Sequence, residues 1–147
     1  MRREGGEPRA ERDESSDMRD FRKLIVWQKG HRLALAVYAA VRRFPPRQHS
    51  GLAHQLTRAA ASIPANVAEG CGKSTDGELA RFSDIALGSA KELENHLILA
   101  RDLEVLDPAV FDALEAQLNE VRRMLFAFSR AVRIRVAKKA PQGVRKP

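Results

Sequence analysis

Between residues 20 and 136 apolar side chains recur at spacings of three and four, and four segments carry that rhythm. The first spans 21–43, where Leu24, Trp27, Ala34, Tyr38 and Val41 fall on one face and His31 fills the gap in it. Asp20 is its N-cap. Phe44-Pro45-Pro46 ends it, because the residue before a proline avoids helical geometry and proline has no N–H to donate. The second spans 51–70, with Leu52, Leu56, Ala60, Ile63 and Val67 as its stripe. Pro64 lies within it and predicts a kink near 62–64 without a break, and Gly70 and Gly72 bracket its C-cap. The third spans 75–105, opened by a Thr75…Glu78 capping box, with Phe82, Ala86, Ser89, Leu93, Leu97 and Ala100 facing inward. The fourth begins at Asp107-Pro108, an N-cap followed by proline at the first helical position. Its stripe of Phe111, Leu114, Leu118, Val121, Leu125, Phe128 and Val132 alternates steps of three and four, the seam of a bundle. No segment alternates with the period of a strand. Short connections between long helices make neighbours antiparallel. The expected fold is all-α: an up-down-up-down four-helix bundle over 20–136, with a disordered charged tail at 1–19 and a flexible basic tail at 137–147, frayed from Lys138 on.

Composition narrows the setting. A chain of 147 residues suits one core. Its one cysteine, Cys71, cannot form an intrachain disulfide. No apolar run reaches the roughly 18 residues a membrane span requires, and the N-terminus lacks the apolar core of a signal peptide. A cytoplasmic protein without a membrane role is expected. The net charge of +7 is uneven, since residues 133–147 hold six Lys/Arg and no acid. On that count most of the basic excess belongs to the C-terminal tail.

A second, polar stripe runs along the second helix: Gln55, Arg58, Ser62, Asn66 and Glu69 share a face. The third helix offers Gly88 and Ser89, with Glu92 a turn later, opposite Ala59-Ala60-Ala61-Ser62. Small residues on both sides predict a close crossing at which trapped polar groups must pair. The stripe then reads in two ways: a buried network that fixes helix register, or a ligand or nucleic-acid groove lined by Arg58, Asn66 and Glu69.

The segments FRKLIVWQKG (21–30), Val37-Tyr38, GLAHQLTRAAASIPANVAEG (51–70) and IALGSAKELENHLILA (85–100) resemble the four-helix-bundle family encoded in intervening sequences of bacterial 23S ribosomal RNA genes, also called the S23 type. The resemblance covers about 20–132. Gln48 stands where the family usually has an acid, and Cys71-Gly72-Lys73 replaces a more usual Gly-Arg pair; both lie at helix ends. The family is related to the accessory variability determinant of diversity-generating retroelements, a homopentamer that works with a reverse transcriptase and its RNA. The resemblance therefore implies a homopentamer whose partner is RNA, DNA or a nucleic-acid-associated protein such as a reverse transcriptase.

Candidate chemistry is sparse. Glu69 and Glu92 lack an accompanying nucleophile, and the histidines at 31, 49, 54 and 96 lack metal-ligand spacing. Cys71 near a helix end reads as an inert thiol, and no glycine-rich phosphate loop is present. No enzyme, metal or cofactor is expected. The residues Arg122, Arg123, Arg130, Arg133, Arg135, Lys138 and Lys139 form either a solvated face or a contact for a nucleic-acid backbone. No aromatic platform stands beside them in the sequence. Apolar residues outside the inner stripes (Leu33, Val37, Leu99, Leu103 and Met124) suggest surface for self-association.

Overall fold

The computed structural model describes residues 19–45 and 47–140. A 3-10 turn at Phe21–Lys23 precedes α1 (Ile25–Val41), α2 (Ser50–Cys71), α3 (Asp76–Asp102) and α4 (Pro108–Lys139). Asp20 caps the turn, accepting from the Arg22 amide, so the first helix starts four residues later than its apolar rhythm suggests. Thr75 Oγ1 accepts from Glu78 N, and Asp107 Oδ1 from Ala109 N, as the capping signals require. The helix α2 continues through Pro64 to Cys71. The expected disorder of 1–18 and of 141–147 falls outside the described residues. Within them both boundaries move: Arg19 is bonded to the bundle, and α4 stays helical through Lys139.

Partner pairs show the direction of packing. Arg58 meets Glu92, Ser62 meets Ser89, and Gly70 abuts Leu79 and Phe82, so α2 and α3 run antiparallel. Arg122 reaches Glu94, Arg133 reaches Asp84 and Lys139 reaches Asp76, so α3 and α4 do too. The helix α4 also packs back on α1, closing the bundle.

The stripes of α2, α3 and α4 form the core as expected, with Leu56, Ile63, Leu93, Leu97, Leu118 and Leu125 fully buried; Phe128 and Leu52 pack at its edge. On α1 the expectation holds only in part: Ala34 is buried, and Leu24, Trp27 and Val41 pack at the edge of the core. The buried residues there are Val26, Gly30, Leu33, Ala34 and Val37, while Tyr38 is exposed and Trp27 only half-buried. Two apolar stripes overlap on this helix, about 100° apart. The compact one fits where Gly30 lies against Ile63 and Pro64; the aromatic one, with polar ring edges, goes to the rim. Leu33 and Val37 are thus core, not surplus surface.

The small residues that let α2 and α3 approach are Ala59, Ala60, Ala86 and Ala90, all buried. Gly88 is not among them, because a Cβ added there would meet nothing within 4 Å. At Gly70 the added Cβ would lie 2.9 Å from Phe82 Cβ, an atom close to the backbone that cannot swing away. The two glycines should respond oppositely to alanine. Gly88→Ala should raise stability by about 0.5–1 kcal/mol through helix propensity, and Gly70→Ala should lower it by about 1–3 kcal/mol through overpacking. Urea unfolding of both variants checks the pair; equal shifts would contradict this packing.

Candidate nucleic-acid interface

The polar stripe of α2 lies at the edge of the α2–α3 contact, so its burial is graded. Ser62 Oγ and Ser89 Oγ share a hydrogen bond of 2.7 Å. Asn66 Nδ2 donates to Ser62 Oγ at 2.9 Å and to the Ser62 carbonyl at 2.8 Å. Arg58 and Glu92 form an exposed ion pair at 3.3 Å, and Glu92 also faces His96 Nε2 at 3.4 Å. The side chains of Gln55 and Glu69 make no hydrogen bond or ion pair among the described residues. The expected trapped network of seven thus contracts to Ser62, Asn66 and Ser89. The outer members of the stripe extend into solvent, where water satisfies them.

The seven candidate cations of α4 divide into two groups. From residue 122 to 139 the helix holds all seven and no Asp or Glu. Four turn toward α3. Arg122 Nη1 bonds Glu94 Oε2 at 2.7 Å and Arg133 pairs with Asp84, whose other oxygen accepts from Ser129 at 3.0 Å. Arg135 and Lys139 both reach Asp76, at 3.5 and 3.1 Å. Three carboxylates therefore face seven cations. Arg123, Arg130 and Lys138 are exposed, make no ion pair among the described residues and lie along one side of the helix with Phe126 and Ile134.

Asp76 gathers both ends of the described chain. Arg19 Nη2 meets its Oδ1 at 2.8 Å, while Arg19 Nη1 donates to the Lys73 carbonyl at 2.6 Å. Burial favours the protonated acid, but the hydrogen bond from Lys139 and the charges of Arg135, Lys139 and Arg19 outweigh it, and the pKa falls below the usual aspartate value. A depressed folded-state pKa means this carboxylate stabilises the fold fully above its unfolded pKa, about 3.9, and loses that contribution as pH falls through the folded value. Asp76→Asn should therefore be less stable than the parent at pH 7, with the gap closing toward pH 2. Thermal unfolding at the two pH values tests this; a gap that persists at pH 2 would show that the ionised carboxylate is not what matters.

Other candidate groups are accounted for by packing. Burial raises the pKa of the Cys71 thiol despite Arg19 nearby, which suits an inert core cysteine. His31 is exposed and stacks on Trp27. Among the described residues no three His, Cys, Asp or Glu side chains are grouped to hold a metal, and no helix is long and apolar enough to cross a membrane.

One charge pattern escaped the reading by tails. Residues 21–68 carry eight Lys/Arg and no acid, whereas 69–120 carry twelve acids against four Lys/Arg. The basic excess therefore lies on the 3-10 turn, α1 and the α1–α2 connection, which together hold seven Lys/Arg between 22 and 47, and on the second half of α4, not chiefly on the tail. A running count of charge along the sequence finds it; a count of the ends does not.

The sequence model of the 23S rRNA-intervening sequence protein matches residues 22–127. Among solved structures, a protein of unknown function from the S23 ribosomal protein family of Bacteroides thetaiotaomicron superposes with a TM-score of 0.68. It is 21% identical over 71% of this chain and 98% of that one. At that identity the likeness concerns the fold. No curated protein matches the chain.

Proposed function

Because the chain belongs to the 23S rRNA-intervening sequence protein family, we propose that it is a non-enzymatic, self-associating helical scaffold that binds the phosphate backbone of nucleic acid. The observation that carries this reading is the second half of α4, where seven cations face three carboxylates and Arg123, Arg130 and Lys138 project outward. A field of one sign attracts an anionic polymer, and flexible side chains on one helix face suit phosphates rather than base edges. Self-association draws support from Ile98, Leu99 and Leu103, all exposed near the end of α3. The resemblance described above makes a pentamer the specific expectation. Light scattering coupled to size-exclusion chromatography measures it, and a monomer mass would refute it. The cytoplasm is the proposed location.

Binding of RNA and DNA across a salt series tests the main reading. Expected is sequence-independent binding at low salt that weakens steeply as salt rises. Absence of binding at low salt would sink it. A partner pulled from native extract and retained after nuclease treatment would favour a protein-interaction module instead.

A further inference from the structure

The rings displaced from the α1 core do not scatter. Phe21, Trp27, His31 and Tyr38, with Leu35, form one wall of an open cleft of about 430 Å³, and alanines at 61, 65 and 68 of α2 form most of the other. Trp27 and His31 are nearly parallel, 13° apart with centroids 4.9 Å apart. Phe21 lies 5.0 Å from Trp27, and the Arg22 guanidinium 5.6 Å over Phe21. Past His31 the cleft continues to Leu35, 59% exposed, and Tyr38, 44% exposed.

The surroundings of this cleft select the sign of its occupant. It stands within the acid-free stretch 21–68, which Asp20 and Glu69 bracket. Of the eight cations there, Lys29 pairs with Glu120 and Arg58 with Glu92. Arg22, Arg32, Arg42, Arg43 and Arg47 are exposed and make no ion pair with any described residue. An apolar partner helix would leave those charges unneutralised. Flat aromatic faces beside surplus arginines match the two parts of a single strand, its unpaired bases and its phosphates. A duplex offers only the second part, since its bases are already stacked.

We propose that the α1–α2 cleft is a stacking site for unpaired bases of single-stranded nucleic acid, with Arg22, which lies over Phe21, and Arg42, one turn past Tyr38, among the groups on its phosphates. The proposal rests on the reading that this protein binds nucleic acid, but uses a different face from α4. A second copy of the chain, through its acidic 69–120 region, is the competing anionic occupant.

Trp27 is the only tryptophan, so its emission reports the cleft. The intact protein is titrated at low salt with an oligothymidylate of about twelve nucleotides, a length within the range a stacking site covers, and with a duplex of equal length. Expected is quenching of Trp27 by the single strand alone. Tyr38→Ala and Arg42→Ala, both at exposed positions, should each weaken single-strand binding about tenfold and leave duplex binding unchanged. Arg130→Ala should weaken both. If single strand and duplex bind equally and Trp27 stays silent, the stacking site is refuted while phosphate binding by α4 stands. If neither binds, both readings fall. If Trp27 emission shifts on dilution of the protein alone and nucleic acid leaves it unchanged, a second copy covers the cleft and the proposal is overturned.

Discussion

Leu33→Ala should lower the unfolding free energy by about 2–5 kcal/mol, whereas Tyr38→Ala, just over one turn further along the same helix, should cost under about 1 kcal/mol. Leu33 is fully buried and Tyr38 is 44% exposed. Removing the leucine side chain leaves a void in a closed four-helix core, whose other buried residues cannot collapse into it without shifting whole helices. Removing the tyrosine ring strips part of a cleft wall that already faces water. Against a total stability of roughly 5–15 kcal/mol the first change is severe and the second mild. Urea unfolding gives both numbers. The reverse order would mean that the aromatic stripe, not the aliphatic one, packs inward.

The second large effect concerns binding. Replacing Arg123, Arg130 and Lys138 together by alanine should flatten the dependence of log affinity on log salt by about 2.7, since each phosphate contact contributes about 0.9. At about 0.1 M salt that corresponds to a loss of two to three orders of magnitude in affinity. Fold stability should change little, because these side chains are exposed and hold no carboxylate of the bundle. The contrasting variant is Arg135→Ala. It should disturb the Asp76 cluster and lower stability while affecting the salt slope less, since its charge is already shared with a carboxylate 3.5 Å away. A salt slope unchanged in the triple variant would place the nucleic-acid contact elsewhere or abolish it.

The acidic partners are what the sequence could not supply. Arg133 and Arg130 look alike three residues apart on α4, but Asp84 lies opposite only one of them. Which cation is neutralised depends on the register between α3 and α4, a property of two helices at once. Likewise the α2 stripe was legible as a face, yet only the position of that face at the contact edge decides that Ser62 and Asn66 pair while Glu69 meets solvent. The Gly88-Ser89 pair shows the same limit. Both are small, and the rotation of α3 put Ser89 against α2 and Gly88 outside.

What the sequence determined by itself was the set of four helices, the caps at Thr75 and Asp107, the inward faces of α2 to α4, and the family. These follow from local rules, since capping and periodicity act within a few residues of one chain segment. The tertiary structure decided which of two overlapping stripes on α1 enters the core, and hence that the aromatic rings line an open cleft. Periodicity fixes that a helix has an apolar side but not its centre when two stripes lie about 100° apart. The choice falls to the space left between neighbouring helices, which here sets Gly30 against Ile63 and Pro64, buries Val26, Leu33 and Val37, and leaves the broader rings at the rim.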